Sequence, residues 1–192
     1  MSTTTTTRPA VEAPTTGRTI ARWTISFAGF PLGGFAAMIL IGPVDGLASA
    51  VAGGLVTGAV LGAVQAWALR ATGRSMVAWT AATALGLGAG LAVGAAAVSY
   101  GTALGDLVVQ GAVSGAAVGI AQAALLRRRL GALALAWPAY LAVVWALGWA
   151  ITTWFGIEVD ERFTVFGSSG AVVVALLTSV LPLVLARREA VR

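Results

Sequence analysis

The chain has no cysteine, no histidine and no lysine, and only 10% of its 192 residues are charged. Without cysteine or histidine it forms no disulfide, offers no thiolate and lacks the usual zinc, copper and haem ligands. Without lysine it cannot form a Schiff base with retinal or pyridoxal phosphate. No cofactor and no metal are therefore expected. The shortage of charge excludes more. A soluble domain covers its surface with about a quarter charged residues. A chain that is 58% hydrophobic, with a mean hydropathy of +0.91, cannot do so, and lipid must be its outer solvent. All twelve basic residues are arginines. A basic balance usually raises nucleic acid as a partner. Here the arginines stand singly or in threes at the ends of apolar segments, which is the membrane pattern, and no nucleic-acid partner is expected.

Residues 1–19 are rich in threonine, with Pro9 and Pro14, and read as a disordered tail. Beyond Arg22 the charges divide the chain into six uncharged stretches: 23–44, 46–69, 75–105, 107–126, 130–157 and 163–186. Crossing about 30 Å of hydrocarbon takes roughly 20 helical residues. Each stretch is long enough once and none twice. The expected fold is all-α, an integral membrane domain over 20–188 with helices near 22–42, 46–69, 77–99, 106–127, 133–155 and 164–186. Residues 189–192 form a short tail. Eleven of the twelve arginines fall on one side of a six-span arrangement, all but Arg162. The positive-inside rule makes that side, with both termini, cytoplasmic.

Three tryptophans, Trp23, Trp79 and Trp137, open the odd helices, and Arg70, Arg127 and Arg187 close the even ones. These topology anchors mark three helical hairpins of one family, near 22–70, 77–127 and 133–187. The even helices carry the clearest repeat. Gly54, Gly58, Gly62 and Gln65 return 57 residues later as Gly111, Gly115, Gly119 and Gln122. Counted back from Arg187 without gaps, the third copy has Ala171, Ala175 and Ser179, with Pro182 in place of glutamine.

Residues four apart share a helix face, so each set forms a small-residue groove that lets a second backbone approach closely. Gln65 and Gln122 lie five residues inside their arginines, about 7.5 Å by helical rise. A primary amide at that depth must be hydrogen-bonded, to its counterpart, to backbone or to a ligand. Pro31, beside Gly33 and Gly34, is expected to kink the first helix and is the candidate hinge; Pro182 does the same in the last. Trp23, Trp67, Trp79 and Trp137 fit an interfacial aromatic belt. Trp145 and Trp149, one turn apart, suit packing against a glycine groove.

The pattern Gly54-x3-Gly58-x3-Gly62-x2-Gln65-x3-Leu69-Arg70, followed by Trp79, resembles that of many small uncharacterised bacterial multi-span proteins over most of residues 22–188. The resemblance implies a multi-pass protein of the bacterial cytoplasmic membrane and brings no activity with it.

No ionisable side chain lies between the boundary charges, which argues against coupled transport and proton relay. No base is available to activate a buried serine, so no enzyme is expected. Two functions remain. One is a membrane scaffold or partner subunit, in which the small-residue faces assemble the helices, pair two copies of the chain or dock another membrane protein. The other is a carrier or channel for a small, mostly uncharged solute, gated near Pro31 and lined by Gln65 and Gln122. They differ in where the glycine faces point. Faces that meet on the axis close it; faces turned to their own hairpin partners leave room for a polar cavity.

Overall fold

In the computed structural model of the chain, residues 16–156 and 163–190 are described. Among them there is no strand. The helices are α1 (Thr16–Ile25), α2 (Gly29–Leu40), α3 (Leu47–Ala68), α4 (Gly73–Ala97), α5 (Leu104–Leu130), α6 (Trp137–Trp154), α7 (Ser168–Thr178) and α8 (Val180–Ala190). A 3-10 turn, Ser26–Ala28, joins α1 to α2, and another, Gly131–Ala136, joins α5 to α6. The expected tail at 1–19 ends earlier than its composition suggests, because Thr16 already begins α1; residues 1–15 lie outside the described ones. At the other end Glu189 and Ala190 continue α8, and the last two residues lie outside the described ones.

Among the described residues, five stretches are long and apolar enough to cross a membrane: Thr16–Leu40, Leu47–Ala68, Gly73–Ala97, Leu104–Trp154 and Ser168–Arg188. Length and hydropathy thus give five where the arginine pattern leads one to expect six. The difference is the 51-residue stretch Leu104–Trp154. It is not one straight rod. Gly131, at φ +60°, turns the chain, and α6 packs back along α5 in the opposite direction.

The two interior prolines account for two interruptions. Proline has no N–H to donate four residues back. Pro31 therefore cannot donate to the Phe27 carbonyl, and the 3-10 turn lies there. Pro182 does the same for Thr178, and the last helix divides at Ser179 into α7 and α8.

From α2 to α7 each helix packs antiparallel against the next. The register is set where backbones meet. A methyl group built on Gly33 would stand 2.8 Å from the Thr57 carbonyl oxygen. On Gly54 and Gly58 it would stand 2.7 Å from Gly88 Cα and Ala84 Cα of α4. On Gly86 and Gly90 it would meet Val118 and Ser114 of α5 at the same distance. Gly115 lies against the Leu141 carbonyl of α6, and Gly170 against that of Gly148. The last helices then return to the first: α1 packs on α7 and α8, and Gly34 of α2 faces Val165. The chain closes into a ring. Such close approach supplies the van der Waals contact that holds helices together where water is absent.

The glycine stripes point in neither of the two directions considered from sequence. Gly54, Gly58 and Gly62 face α4, and Gly111, Gly115 and Gly119 face α6. Each stripe therefore joins one hairpin to the next around the ring. Trp149 and the Trp145 carbonyl do pack on Gly111.

The last apolar stretch also differs from expectation at its start. Helix begins at Ser168, and Phe163–Gly167 is irregular. Thr164, Val165 and Phe166 are nonetheless buried. Thr164 shares a 2.7 Å hydroxyl contact with Thr57, which donates to the Gly33 carbonyl at 3.2 Å. Gly167 N–H donates to Thr152 Oγ1 at 3.1 Å. Irregular backbone is tolerable inside such a bundle when its polar groups find partners of this kind. Phe166 meets Phe30 at 4.8 Å and Trp145 at 5.6 Å between ring centroids, so this segment plugs one half of the ring with aromatic side chains.

Candidate functional site

The other half of the ring interior holds the two repeat glutamines. Gln65 (α3) and Gln122 (α5) stand at equivalent positions of the repeat, one turn inside the helix ends that carry the arginines. The alternation of helix direction brings those ends together. Both side chains point inward, Gln65 at 8% and Gln122 at 1% exposure. Trp79 Nε1 donates to Gln65 Oε1 at 3.2 Å. Trp137 Nε1 donates to Gln122 Oε1 at 2.8 Å. The Gln122 amide then donates to Gln65 Oε1 at 3.3 Å and to Thr83 Oγ1 at 3.0 Å, and Thr83 donates to the Trp79 carbonyl at 2.9 Å. The two indole donors fix which end of each amide is oxygen.

A third bond of the same kind completes the set. Trp23 Nε1 donates to Thr178 Oγ1 at 3.0 Å, and that hydroxyl donates to the Val174 carbonyl at 2.7 Å. Every hairpin therefore opens with a buried tryptophan whose indole reaches a polar side chain on the preceding even helix, the ring being read as closed. The acceptor in the third copy is Thr178, one helical turn before Pro182. The ungapped count back from Arg187 is thus off by four residues. Measured from Thr178, the positions that match Gly58 and Gly62 are Ala171 and Ala175, both buried, while Ser179 is the residue at which the helix breaks.

The tryptophans depart from the expected belt. Trp23, Trp79 and Trp137 are buried, and their indoles hydrogen-bond inside the ring. Trp67 is half exposed and does sit at the rim. Arg22 lies over it, 4.3 Å from the ring centroid, and donates twice to the Trp67 carbonyl, at 2.7 and 3.2 Å. That pair fastens the last turn of α1 to the end of α3. Among the topology anchors, Arg70 adopts a left-handed φ of 56° just past α3, Arg127 lies in the last turn of α5, and Arg187 lies near the end of α8, exposed. Pro31 is half-buried, and its neighbours Gly33 and Gly34 are packing surfaces against Thr57 and Val165.

Sequence reasoning singled out the glutamines and allowed that they bond to each other, as they do, but it did not pick out Thr83, Thr178 or the tryptophans as their partners in the network. Thr83 and Thr178 are hydroxyls of the sort that bond back to their own helix, and each does. The signal that could have found them is the spacing of the tryptophans, since each of these residues meets a repeat tryptophan or its glutamine.

Trp23, Gln65, Gln122, Trp137, Val174 and Thr178 are among the residues around a cavity of about 10 Å³. That volume holds a single water molecule. Among the described residues no group of acidic side chains could hold a metal ion. The site can therefore exchange hydrogen bonds but contains no ionisable group for acid–base chemistry. No family model, no curated protein and no solved structure matches this chain.

Proposed function

We propose that the protein is a six-span membrane scaffold or partner subunit. The helices α1–α2, α3, α4, α5, α6 and α7–α8 each cross the bilayer once, and the arginine-bearing ends are cytoplasmic in a bacterial inner membrane. The observation that carries this reading is the filled interior. Close backbone contacts run around the ring, aromatic side chains occupy one half, and the polar side chains of the other half bond chiefly to one another. No passage for a solute follows from this packing, since the central cavity admits about one water molecule.

The small-residue faces are used inside the ring, so a partner would meet the outward apolar side chains. Phe35, Ile39, Leu85, Val93 and Val143 are among those exposed. In lipid such faces are satisfied by acyl chains or by another helix equally well.

The test is solute flux. Proteoliposomes carrying the purified protein, mixed with urea or glycerol in a stopped-flow swelling experiment, are expected to swell at the rate of protein-free liposomes. A rate that rises with protein density would overturn the scaffold reading in favour of a neutral-solute pathway.

A further inference from the structure

Gln65, Gln122 and Thr178 receive the three repeat tryptophans, but they are not equal in reach. Two carry a carboxamide. The third carries a hydroxyl on Cβ, two heavy atoms shorter in reach. Thr178 and Trp23, together with Gln65 and Gln122, line the central cavity. Gln65 is more than nine-tenths buried, yet only its oxygen is bonded, to Trp79 and Gln122. Its Nε2 makes no hydrogen bond among the described residues. A residue whose amide nitrogen keeps two N–H donors thus lines a cavity of one water's volume, together with Thr178, whose hydroxyl accepts one bond and has a second lone pair to give.

We propose that this cavity is a binding site for one resident water molecule, which takes the place of the third carboxamide. The water accepts from Gln65 Nε2 and donates to Thr178 Oγ1. A polar cavity of this size with two or more partners holds water, whereas an apolar one stays dry. The three indole clamps then form one hydrogen-bonded chain, running from Trp137 through Gln122, Gln65, the water and Thr178 to Trp23. The guest is neutral. No charged group lines the cavity to offset the desolvation of an ion.

The experiment is water-to-protein magnetisation transfer in micelles, on protein labelled with nitrogen-15 at the tryptophan indoles and glutamine amides. A long-lived water gives cross-peaks to the Gln65 amide and to the Trp23 indole. Gln65→Met removes the donor and keeps the Thr178 hydroxyl, so the Trp23 cross-peak is expected to vanish. Thr178→Gln supplies the missing carboxamide and is expected to remove the water signal at Gln65 as well. Absence of both cross-peaks in the unaltered protein would overturn the proposal. So would a Trp23 cross-peak that survives Gln65→Met, since it would then arise from the exchanging hydroxyl. If Thr178→Gln does not fold, the Gln65→Met result decides alone.

Discussion

Trp23 Nε1 donates to Thr178 Oγ1 at 3.0 Å, joining the first helix to the last across 155 residues of chain. This bond closes the ring. The clamps of Trp79 on Gln65 and Trp137 on Gln122 span 14 and 15 residues and hold neighbours already linked by a short connection.

Two of the clamps are predicted to differ in what their loss costs. Trp23→Phe removes one donor and leaves the Thr178 hydroxyl bonded to Val174. An interhelical hydrogen bond in a membrane protein averages about 0.6 kcal/mol, so a loss of that order is expected. Gln122→Leu strands the buried Trp137 indole N–H and should cost about 1–3 kcal/mol. Thermal unfolding in micelles ranks the two, and the opposite order would contradict the assignment.

Glycine substitutions separate packing from helix propensity. Gly58→Ala places a methyl 2.7 Å from Ala84 Cα, and Gly115→Ala drives one into the Leu141 carbonyl. Each is expected to lose about 1–3 kcal/mol by overpacking. Gly105, in the first turn of α5, has nothing within 4 Å of its would-be methyl. Gly105→Ala should be neutral or stabilising by up to about 1 kcal/mol. Equal effects at the three sites would mean that the ring contacts are looser than described.

Orientation is tested with the native absence of cysteine as background. Thr102→Cys lies between α4 and α5, and Thr72→Cys lies between α3 and α4. A membrane-impermeant thiol reagent added to intact cells is expected to label the first, and the second only after permeabilisation. The reverse pattern would invert the topology.

Much of the architecture is legible in the sequence, because the signals are local. Uncharged runs mark helices, and arginines mark their ends. A stripe such as Gly54, Gly58 and Gly62 marks a close contact. What the stripe faces is not local. A groove fits any small-residue partner, so whether α3 packs on α4 or across the axis depends on how the whole ring closes. The same limit hides the partners of the glutamines. Gln65 and Gln122 stand out as amides in an apolar run, but Thr178 looks like any helix-bonded threonine until Trp23 is seen against it. The third copy is misaligned for a related reason. Arg187 stands one turn farther out than its counterparts, beyond the helix break near Pro182, so counting from it slides the register by four residues. Residues 157–162, which hold Glu158, Asp160, Glu161 and Arg162 between the last two expected helices, lie outside the described residues.

The central claim is that the ring is closed and its axis dry to bulk solvent. Val118 and Val174 border the central cavity on opposite helices, α5 and α7, and cysteine replaces valine with little change in volume. In proteoliposomes, Val118→Cys and Val174→Cys should resist a water-soluble methanethiosulfonate reagent on the timescale in which Thr72→Cys reacts fully. One resident water is no route for such a reagent. Rapid labelling at both valine positions would mean an aqueous cavity that the packing does not contain, and the closed-ring account would fail.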